Sequence, residues 1–343
     1  MLIDYMFGVK MPYKPKCVTS KSISTLTGKN EVCGVRSDKE KAKMLRKYTI
    51  LCGEYKEAYK LVLNTRLLEI SHHIKTLADE IQKKNKLERI AMIAVMRGGF
   101  YLAAAIKRYF ENRGFTLPTY GIATLIGYGL DRKGLREICQ DAHRNKLVFL
   151  DGWTMKGCGK KTVDDALIST RDIDYEFAAL IDPNGIADYI GTDVDCLCPW
   201  AISETQHVGL THFFYDNEEG YSCIQVPEFN RKFAEDFFGR LIRIIDKGFV
   251  QSNEQEKIVT TFNKRFKINK IVKQSNIKGR RIIYGFNEVL KSMERGEGKR
   301  LLIAQDARPE DLLPVLMLAE IFGIDSEIDE SPYNGFKVRL VRN

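Results

Sequence analysis

Long apolar runs are absent from this sequence. The apolar stretches are short and interrupted, and none reaches the length of about 20 residues that a membrane-spanning helix requires. The first residues also lack a basic segment followed by a long apolar one, which is the pattern of a secretory signal. We therefore expect a protein of the cytoplasm that has no membrane partner.

A disulfide framework is missing as well. The eight cysteines are scattered over the chain and follow no spacing typical of a small stapled domain, so reduced thiols are the simplest account. Cys196 and Cys198, with His207, His212 and Cys223 nearby, could form a metal site. Their spacing is not that of a zinc site, and cysteine is among the most commonly buried residues, so we expect core packing instead.

Acidic residues are scarce in one segment of an otherwise ordinary composition. The chain is 44% hydrophobic and 29% charged, which fits a globular protein, and its 343 residues predict two or three domains. Between residues 251 and 300, thirteen Lys and Arg stand against five Glu and no Asp, so this segment holds +8 of the net charge of +9. Such a block is either a solvated face or a nucleic-acid footprint.

Four apolar runs alternate with glycine-bearing turns and with segments of helical periodicity. The runs that we expect to be strands are residues 90–96, 120–127, 146–151 and 175–182. Strands that alternate with helices predict an α/β fold with a parallel sheet that is covered on both faces. Helical spacing also predicts two helices between residues 41 and 86, and a strand followed by an amphipathic helix near residues 223–250.

The chain divides into four parts by composition and periodicity. We expect an irregular arm, the α/β domain, a basic linker and a second domain, at residues 1–40, 41–250, 251–275 and 276–343 respectively. The second domain alternates short strands with helices expected at 287–295 and 309–322, which predicts a small α/β/α sandwich.

A polar motif marks the first helix of the second domain. Gly285 allows the backbone to approach RNA at a strand-to-helix turn. Asn287 and Glu288 follow at the helix start, where unpaired N–H groups point outward, and an amide and a carboxylate there can read base edges in an irregular RNA. Lys291, one turn further on, would contact phosphate. The alternative is that Asn287 is a plain helix cap and the lysines form a solvated face.

The same segment resembles the ribosomal-protein superfamily that binds kink-turn RNA, in the variant called the Pelota RNA-binding domain. The resemblance covers about residues 278–343 and rests on Gly285, Phe286, Asn287, Glu288, Val289, Leu290, Lys291, Glu294, Arg295, Gly296, Lys299, Ile303, Ala304, Asp306 and Pro309. Phe286 replaces the small residue that is usual after the glycine. The resemblance implies a structured RNA partner, kink-turn-like or tRNA, with these RNA-binding residues: Gly285, Asn287, Glu288, Lys291 and Arg295.

Two glycine-rich loops follow predicted strands of the first domain. Arg97, Gly98 and Gly99 follow the first strand and open a helix, so a cation, close backbone approach and a helix N-terminus all favour an anion. The loop at residues 151–162 follows the third strand and supplies glycines, lysines and a hydroxyl before a helix, which suits a phosphate. Two such loops indicate a binding site, and the alternative is a scaffold with glycine turns and no catalysis.

The first domain resembles the phosphoribosyltransferases, and more narrowly those of bacterial tellurium-resistance (Ter) stress operons that are fused to a Pelota domain. The matching residues cover about residues 70–225 and are His73, Leu77, Ala78, Arg97, Gly98, Tyr128, Gly129, Leu130, Asp131, Asp151, Gly152, Trp153, Thr154, Lys156, Gly157, Asp182, Pro183, Gly185 and Ala187. The domain order matches too. Relatives of this group carry the label cysteine protease StiP.

This resemblance implies displacement of pyrophosphate from phosphoribosyl pyrophosphate, or the reverse, or action on a nucleotide-like substrate, with Mg²⁺ bridging pyrophosphate and ribose hydroxyls. It implies ribose and magnesium contacts for Asp151, and pyrophosphate contacts for Arg97, Gly98 and Gly99. The residues implied for the 5-phosphate and neighbouring substrate contacts are Thr154, Lys156, Gly157, Gly159 and Thr162. Asp131 and Asp182 are implied as metal ligands or as the group that serves the accepting base.

Two other functions stay open at this point. Common phosphoribosyltransferases carry further acids at the positions of Gly152 and Met155, so one alternative is an RNA-binding protein whose α/β domain binds a phosphorylated sugar or nucleotide without turnover. The other is a cysteine protease. A thiol nucleophile needs a base and an orienting group, and no histidine is close in sequence to Cys158 in the second loop.

Overall fold

The computed structural model describes residues 17–18, 52–96, 98–125, 129–142, 145–154, 157–168, 173–203, 213–216, 220–224, 229–247, 271–272, 282–294, 297–329 and 335–342. Helix α1 (Cys52–Lys84) runs for 33 residues without a break. Two helices were predicted between residues 41 and 86; residues 52–84 form one, and residues 41–51 lie outside the described residues. The segment contains no proline and no glycine after Gly53, so nothing interrupts its backbone hydrogen bonds.

A six-stranded sheet forms the centre of the first domain, which we call the parallel-sheet domain. Its strands are β2 (Ile90–Met96), β3 (Thr119–Leu125), β4 (Gly129–Leu130), β5 (Lys146–Trp153), β6 (Tyr175–Ile181) and β7 (Tyr189–Thr192). Their order is β4-β3-β2-β5-β6-β7, and every neighbouring pair is parallel except β3 and β4. This confirms the predicted α/β fold with a parallel sheet.

Helices cover both faces of this sheet. One face packs on α1 and on α2 (Gly99–Glu111), and the other packs on α3 (Arg132–Asp141) and α4 (Cys158–Leu167). The central strands are apolar on both sides for this reason, and Val148 and Phe149 of β5 are each fully buried against opposite layers.

The parallel-sheet domain is completed by elements that follow β7. They are α5 (Pro199–Ser203), the antiparallel pair β8 (Phe213–Asp216) and β9 (Gly220–Ile224), and α6 (Phe229–Asp246). A short strand, β1 (Cys17–Val18), lies parallel to β9 and sets Cys17 opposite Cys223. The strand and the amphipathic helix that were expected near residues 223–250 are thus present, in a three-stranded sheet of their own and in α6.

The C-terminal unit is a second, smaller α/β structure, as predicted. Its strands are β10 (Ile271–Val272), β11 (Ile282–Tyr284), β12 (Arg300–Ala304), β13 (Asp325–Asp329) and β14 (Val338–Val341), in the order β10-β13-β12-β14-β11. Helices α7 (Phe286–Glu294) and α8 (Pro309–Phe322) pack against this sheet and against each other. Strand β10 falls inside the segment predicted as a linker.

Strand β13 was missed because its sequence, DSEID, is mostly polar. Its buried acids pair with arginines on β12, the neighbouring strand, and on β14, one strand further away. Glu327 lies 3.6 Å from Arg300, and Asp329 forms an ion pair with Arg339. A buried carboxylate is tolerated when a cation and hydrogen bonds accompany it, and only the folded sheet brings these partners together.

The two units share a continuous hydrophobic core. Buried residues of α1, α2 and β5 belong to the same cluster as those of α7, α8 and β12. Helix α8 packs along α1, and a buried ion pair between Arg66 and Asp311 joins them. Within the described part of the chain, no helix combines the length and the apolar character needed to cross a membrane.

Candidate functional site

The two glycine-rich loops meet where the order of the parallel strands reverses. Along the chain the parallel strands run β2, β3, β5, β6, β7, but in the sheet β2 lies between β3 and β5. The chain therefore leaves β2 and β5 toward opposite sides of the sheet, which opens a crevice at their carboxyl ends. A β-carbon on Gly152 would lie 2.9 Å from the carbonyl oxygen of Gly98, so the loops are in contact.

The first loop packs tightly at the end of β5. A β-carbon on Gly99 would lie 1.8 Å from the carbonyl oxygen of Leu150, so only glycine fits at the start of α2. The carbonyl of Gly98 accepts a hydrogen bond of 3.1 Å from the indole of Trp200, which is fully buried. The N-terminus of α2 therefore lies against the end of β5, beside the second loop. Arg97, the predicted cation, lies outside the described residues.

The second loop folds back on Asp151. This carboxylate is half-buried, and its Oδ1 accepts a hydrogen bond of 2.7 Å from the N–H of Gly152. A β-carbon on Gly159 would lie 2.6 Å from the other oxygen, Oδ2. Gly157 precedes α4 with a φ of +82°, which favours glycine. The N-terminus of α4 therefore lies directly beside Asp151. Lys156 is outside the described residues.

The hydroxyls and lysines of the second loop have partners within the protein. Thr154 is buried and donates a hydrogen bond of 2.5 Å to Asp182, and Thr162 donates one of 2.8 Å to the carbonyl of Cys158. Lys160 and Lys161 pair with the acids one turn later in α4, Asp164 and Asp165. These side chains are therefore paired with groups of α4 or of the turn after β6.

Asp131 and Asp182 act as structural acceptors in this structure. Asp131 caps α3 by accepting hydrogen bonds from the N–H groups of Lys133 and Gly134, and burial raises its pKa although those bonds oppose the rise. Asp182 is fully buried, and its two oxygens accept from Thr154 and from the N–H of Ala187. Each carboxylate holds a turn in place at the carboxyl edge of the sheet.

The carboxylate of Asp151 lies beside the contact of the two loops. Among the described residues, no group of three His, Cys, Asp or Glu side chains could hold a metal ion by itself. Mg²⁺ characteristically binds one or two carboxylates together with substrate phosphates and keeps several waters. Asp151 fits that limited requirement.

The predicted RNA-binding residues lie against the parallel-sheet domain. Asn287 is buried, its Oδ1 accepts a hydrogen bond of 2.8 Å from the N–H of Cys198, and its Nδ2 donates one of 3.2 Å to the carbonyl of Cys196. Glu288 accepts a hydrogen bond of 3.2 Å from the indole of Trp153, and the ammonium of Lys291 lies 4.3 Å from the centre of that ring. Arg295 lies outside the described residues.

Two residues at this contact were not singled out from the sequence for a role. Trp153 is two positions after Asp151 and is covered by α7. Asp195 is buried and accepts hydrogen bonds from the N–H groups of Phe286, at 3.4 Å, and Lys337, at 2.8 Å. Trp153 could have been noticed for its place beside the loop. Asp195 carries no local signal, because its partners lie more than 90 residues away.

The described cysteines do not form the arrangement of a thiol protease with the described histidines. Cys196 and Cys198 are buried in the core, and burial raises the pKa of the Cys196 thiol well above its usual value. Cys158 is exposed at the start of α4, whereas His72 and His73 lie on α1, which packs on the opposite face of the sheet. His207 and His212, the other candidate metal ligands, lie outside the described residues.

A cavity of about 500 Å³ opens at the opposite edge of the sheet. It is lined by Ile90 and Lys146, the first residues of β2 and β5, together with Lys84, Arg89 and Cys139. This edge is at the amino ends of the strands. The crevice formed by the two glycine loops lies at the carboxyl ends, where ligands of open α/β sheets bind.

The fold and its loops thus define an α/β protein with a crevice at the strand reversal and an attached α/β unit. Residues 16–219 match the family described as tellurite-like stress resistance cysteine protease StiP. This span is more than half of the 343 residues, and the chain belongs to that family. Residues 267–329 match the ribosomal protein L7Ae/L30e/S12e/Gadd45 family. No curated protein matches the chain.

Several solved structures are similar to part of the chain. A xanthine-guanine-hypoxanthine phosphoribosyltransferase of Helicobacter pylori is 15% identical and covers 34% of this chain and 77% of its own, with a TM-score of 0.28. A hypothetical protein of Neisseria gonorrhoeae with bound ppGpp is 22% identical; the match covers 36% of this chain and 77% of that protein, with a TM-score of 0.27. The hypoxanthine phosphoribosyltransferase of Trypanosoma cruzi is 12% identical; the match covers 48% of this chain and 93% of that protein, with a TM-score of 0.28.

Proposed function

We propose that this protein is a phosphoribosyltransferase-like enzyme of the Ter stress-operon type, which acts on phosphoribosyl pyrophosphate or a nucleotide-like substrate and binds a structured RNA through its C-terminal unit. One observation carries the enzymatic part. The loops of Gly98 and Gly152 touch at the strand reversal, with the Asp151 carboxylate and the N-termini of α2 and α4 beside the contact.

The geometry suits a sugar that carries phosphates at both ends. The N-terminus of α2 at Gly98 and Gly99, with Arg97, would bind the pyrophosphate, and the N-terminus of α4 at Gly157 and Gly159 would bind the 5-phosphate. Backbone N–H groups and helix dipoles bind phosphate without a lysine, so the pairing of Lys160 and Lys161 with their own helix is compatible with this assignment.

Asp151 lies between these two anion sites and would accept hydrogen bonds from the ribose hydroxyls. In the reaction, the bond from the anomeric carbon to pyrophosphate breaks and a bond to the accepting nitrogen forms, through an oxocarbenium-like transition state. A carboxylate beside the ring stabilises the positive charge that develops there. Mg²⁺ held by Asp151 and the substrate would neutralise the departing pyrophosphate.

Asp131 and Asp182 have positioning roles in this proposal, and Thr154 acts with Asp182. Their polar atoms hold the cap of α3 and the turn after β5, so they fix the walls of the crevice rather than move a proton. Thr162, whose hydroxyl is bonded to Cys158, contributes its helix position in the same way.

The enzymatic proposal is tested by pyrophosphate release from phosphoribosyl pyrophosphate in the presence of candidate bases and RNA. Asp151→Asn should lower the rate by roughly a hundredfold, because the charge that stabilises the transition state is removed. Asp165→Asn is the matched control, since it changes an exposed acid of α4 that pairs with Lys161. Equal rates for the two variants would refute the role of Asp151.

A non-catalytic binder is the second candidate. The absence of further acids at Gly152 and Met155 favours it. In that case the protein would bind phosphoribosyl pyrophosphate, and Arg97→Ala and Asp151→Ala would weaken this binding, but no mixture of base and RNA would release pyrophosphate. Calorimetric titration run alongside the pyrophosphate assay separates the two candidates.

Proteolysis is the activity that the family description names, and the exposed thiol of Cys158 offers its test. The purified wild-type protein should hydrolyse casein no faster than a buffer blank does, and Cys158→Ser should give the same result. Hydrolysis by the wild-type chain that is abolished in Cys158→Ser would replace the phosphoribosyltransferase proposal.

The RNA part of the proposal rests on the family match of residues 267–329 and on the positively charged segment 251–300. A Pelota-type unit that binds a kink-turn-like RNA or tRNA is the specific form that we propose. Binding to a hairpin with an asymmetric internal loop should exceed binding to a fully paired duplex of the same length, because bases in an A-form duplex are closed to side chains. Equal binding to both would remove the claim of structured-RNA recognition.

A further inference from the structure

The strongest unassigned relationship in the molecule is the contact between α7 and residues 195–198 of the parallel-sheet domain. These four residues have no regular secondary structure and run past the start of α7 before α5 begins. Asp195, Cys196, Leu197 and Cys198 are all buried. The contact involves the side chains at the start of α7 from which the RNA-binding proposal is built.

Asn287 binds this segment as it would bind the edge of a base. Its side-chain amide accepts a hydrogen bond from the N–H of Cys198 and donates one to the carbonyl of Cys196. One donor and one acceptor on the same edge of the peptide backbone therefore face the amide. Adenine presents a donor and an acceptor side by side, and an asparagine amide recognises it through the same pair of bonds. The peptide edge on either side of Leu197 therefore imitates the polar pattern of a base.

The carboxyl oxygens of Asp195 take the place of phosphate oxygens beside this edge. They accept from the N–H of Phe286, the first residue of α7, and from the N–H of Lys337. Backbone N–H groups at a helix start are a common binding site for phosphate. The acidic group immediately precedes the base-like peptide edge, as a phosphate adjoins a nucleoside.

Trp153 supplies a flat ring to the same surface. The ring is 7% exposed, the ammonium of Lys291 lies 4.3 Å from its centre, and its indole N–H is bonded to Glu288. RNA bases offer the same kind of π face to cationic side chains. A carboxyl group, a base-like edge and a ring thus contact the start of α7 at once.

We propose that Asp195–Cys198 and Trp153 form an intramolecular mimic of RNA that competes with RNA for the start of α7. This inference rests on the proposed RNA-binding function and gives its regulation. RNA that binds there must displace the segment and uncover Trp153, which lies two residues from Asp151. Because such coupling is reciprocal, a ligand that stabilises the loop of Asp151 and Trp153 weakens RNA binding.

The test measures RNA affinity of the full-length chain with a fluorescently labelled hairpin that carries an asymmetric internal loop of unpaired purines. Asp195→Ala removes the carboxyl group that accepts the two hydrogen bonds of the contact, without changing α7, and should tighten RNA binding at least tenfold. Asp193→Ala is the matched control, because it removes the same side chain from an exposed position two residues earlier. Adding Asn287→Ala to Asp195→Ala should reverse the gain.

A second measurement uses the wild-type protein and does not depend on any variant's folding. The chain has two tryptophans, Trp153 and Trp200, and both are buried. Saturating RNA should raise the acrylamide quenching of tryptophan emission, since Trp153 becomes accessible while Trp200 stays bonded to Gly98.

Three results would overturn the inference. If folded Asp195→Ala and Asp193→Ala bind RNA equally, RNA does not compete with this segment, although the RNA-binding function stands. If RNA binds the wild-type chain without a change in quenching, it binds elsewhere, and this decides the matter should Asp195→Ala fail to fold. If no variant binds the hairpin, the RNA-binding function itself fails and the inference with it.

Discussion

Gly159 and the carboxylate of Asp151 occupy adjoining space at the start of α4. A β-carbon on residue 159 would lie 2.6 Å from Oδ2 of Asp151, closer than a β-carbon approaches another atom. Glycine at this position therefore allows the carboxylate to lie beside the helix N-terminus. The sequence of the loop and the geometry of the proposed sugar site are linked through this contact.

We expect Gly159→Ala to weaken binding of phosphoribosyl pyrophosphate at least tenfold, because the added methyl group forces the Asp151 side chain to rotate. Isothermal titration measures this loss. The control is Gly239→Ala in α6, where an added β-carbon meets no atom within 4 Å. That variant should keep its affinity and gain up to about 1 kcal/mol of stability from helix propensity. Equal affinities for the two variants would contradict the prediction.

Thr154→Val should destabilise the protein by about 1–3 kcal/mol. The substitution removes the hydroxyl that donates to the buried Asp182 and leaves that oxygen without this hydrogen bond. Thr154→Ser keeps the hydroxyl and should lose less. The free energy of unfolding in urea measures both variants, and an equal loss for Ser and Val would show that the hydrogen bond is not the cause.

The buried ion pair between the two units should also contribute to stability. Arg66→Met breaks the pair with Asp311, which is 1% exposed and still pairs with Arg308. Because that second cation remains, we expect the free energy of unfolding to fall by about 3 kcal/mol, the low end for a broken buried pair. Lys161→Met breaks an exposed pair with Asp165 and should change stability by at most about 1 kcal/mol. Chemical denaturation of both variants provides the comparison.

RNA affinity should depend on pH through Asp195. Burial raises the pKa of this carboxyl to about 7, and the charge of Asp311 acts in the same direction, while the N–H groups of Lys337 and Phe286 and the charge of Lys337 oppose the rise. In water the carboxyl has its usual pKa of 3.8. The closed contact therefore binds the proton more tightly than an open form does, and its stabilisation is lost as the pH rises from about 4 through 7.

Lowering the pH from about 8 to about 6 should consequently weaken RNA binding by up to about tenfold, the limit for one group with this pKa. Asp195→Asn cannot titrate and should remove most of this dependence. Fluorescence anisotropy across the pH range measures the effect. A wild-type affinity that rises on acidification would reverse the predicted sign and exclude Asp195 as the cause.

Much of the secondary structure of both units could be predicted from local patterns. Residues 90–96 form β2 as expected, because an unbroken apolar run suits a strand buried on both faces, and Pro309–Phe322 forms α8 within its predicted limits. The glycines at 98–99 and 157–159 also indicated helix starts, because a glycine-bearing turn after a strand is a local signal. Strand β13 was missed, since its acids become favourable only beside Arg300 and Arg339.

The sequence by itself determined the alternation of strands and helices, the two loops and the motif that begins at Gly285, because each depends on neighbours a few residues away. Only the tertiary structure decided that the loops touch, that Asp131 caps α3 and that Thr154 donates a hydrogen bond to Asp182. It alone turned Asn287 toward Cys196 and Cys198. Those contacts join residues 89 and 91 positions apart, and the shared core of the two units, rather than any local pattern, brings them together.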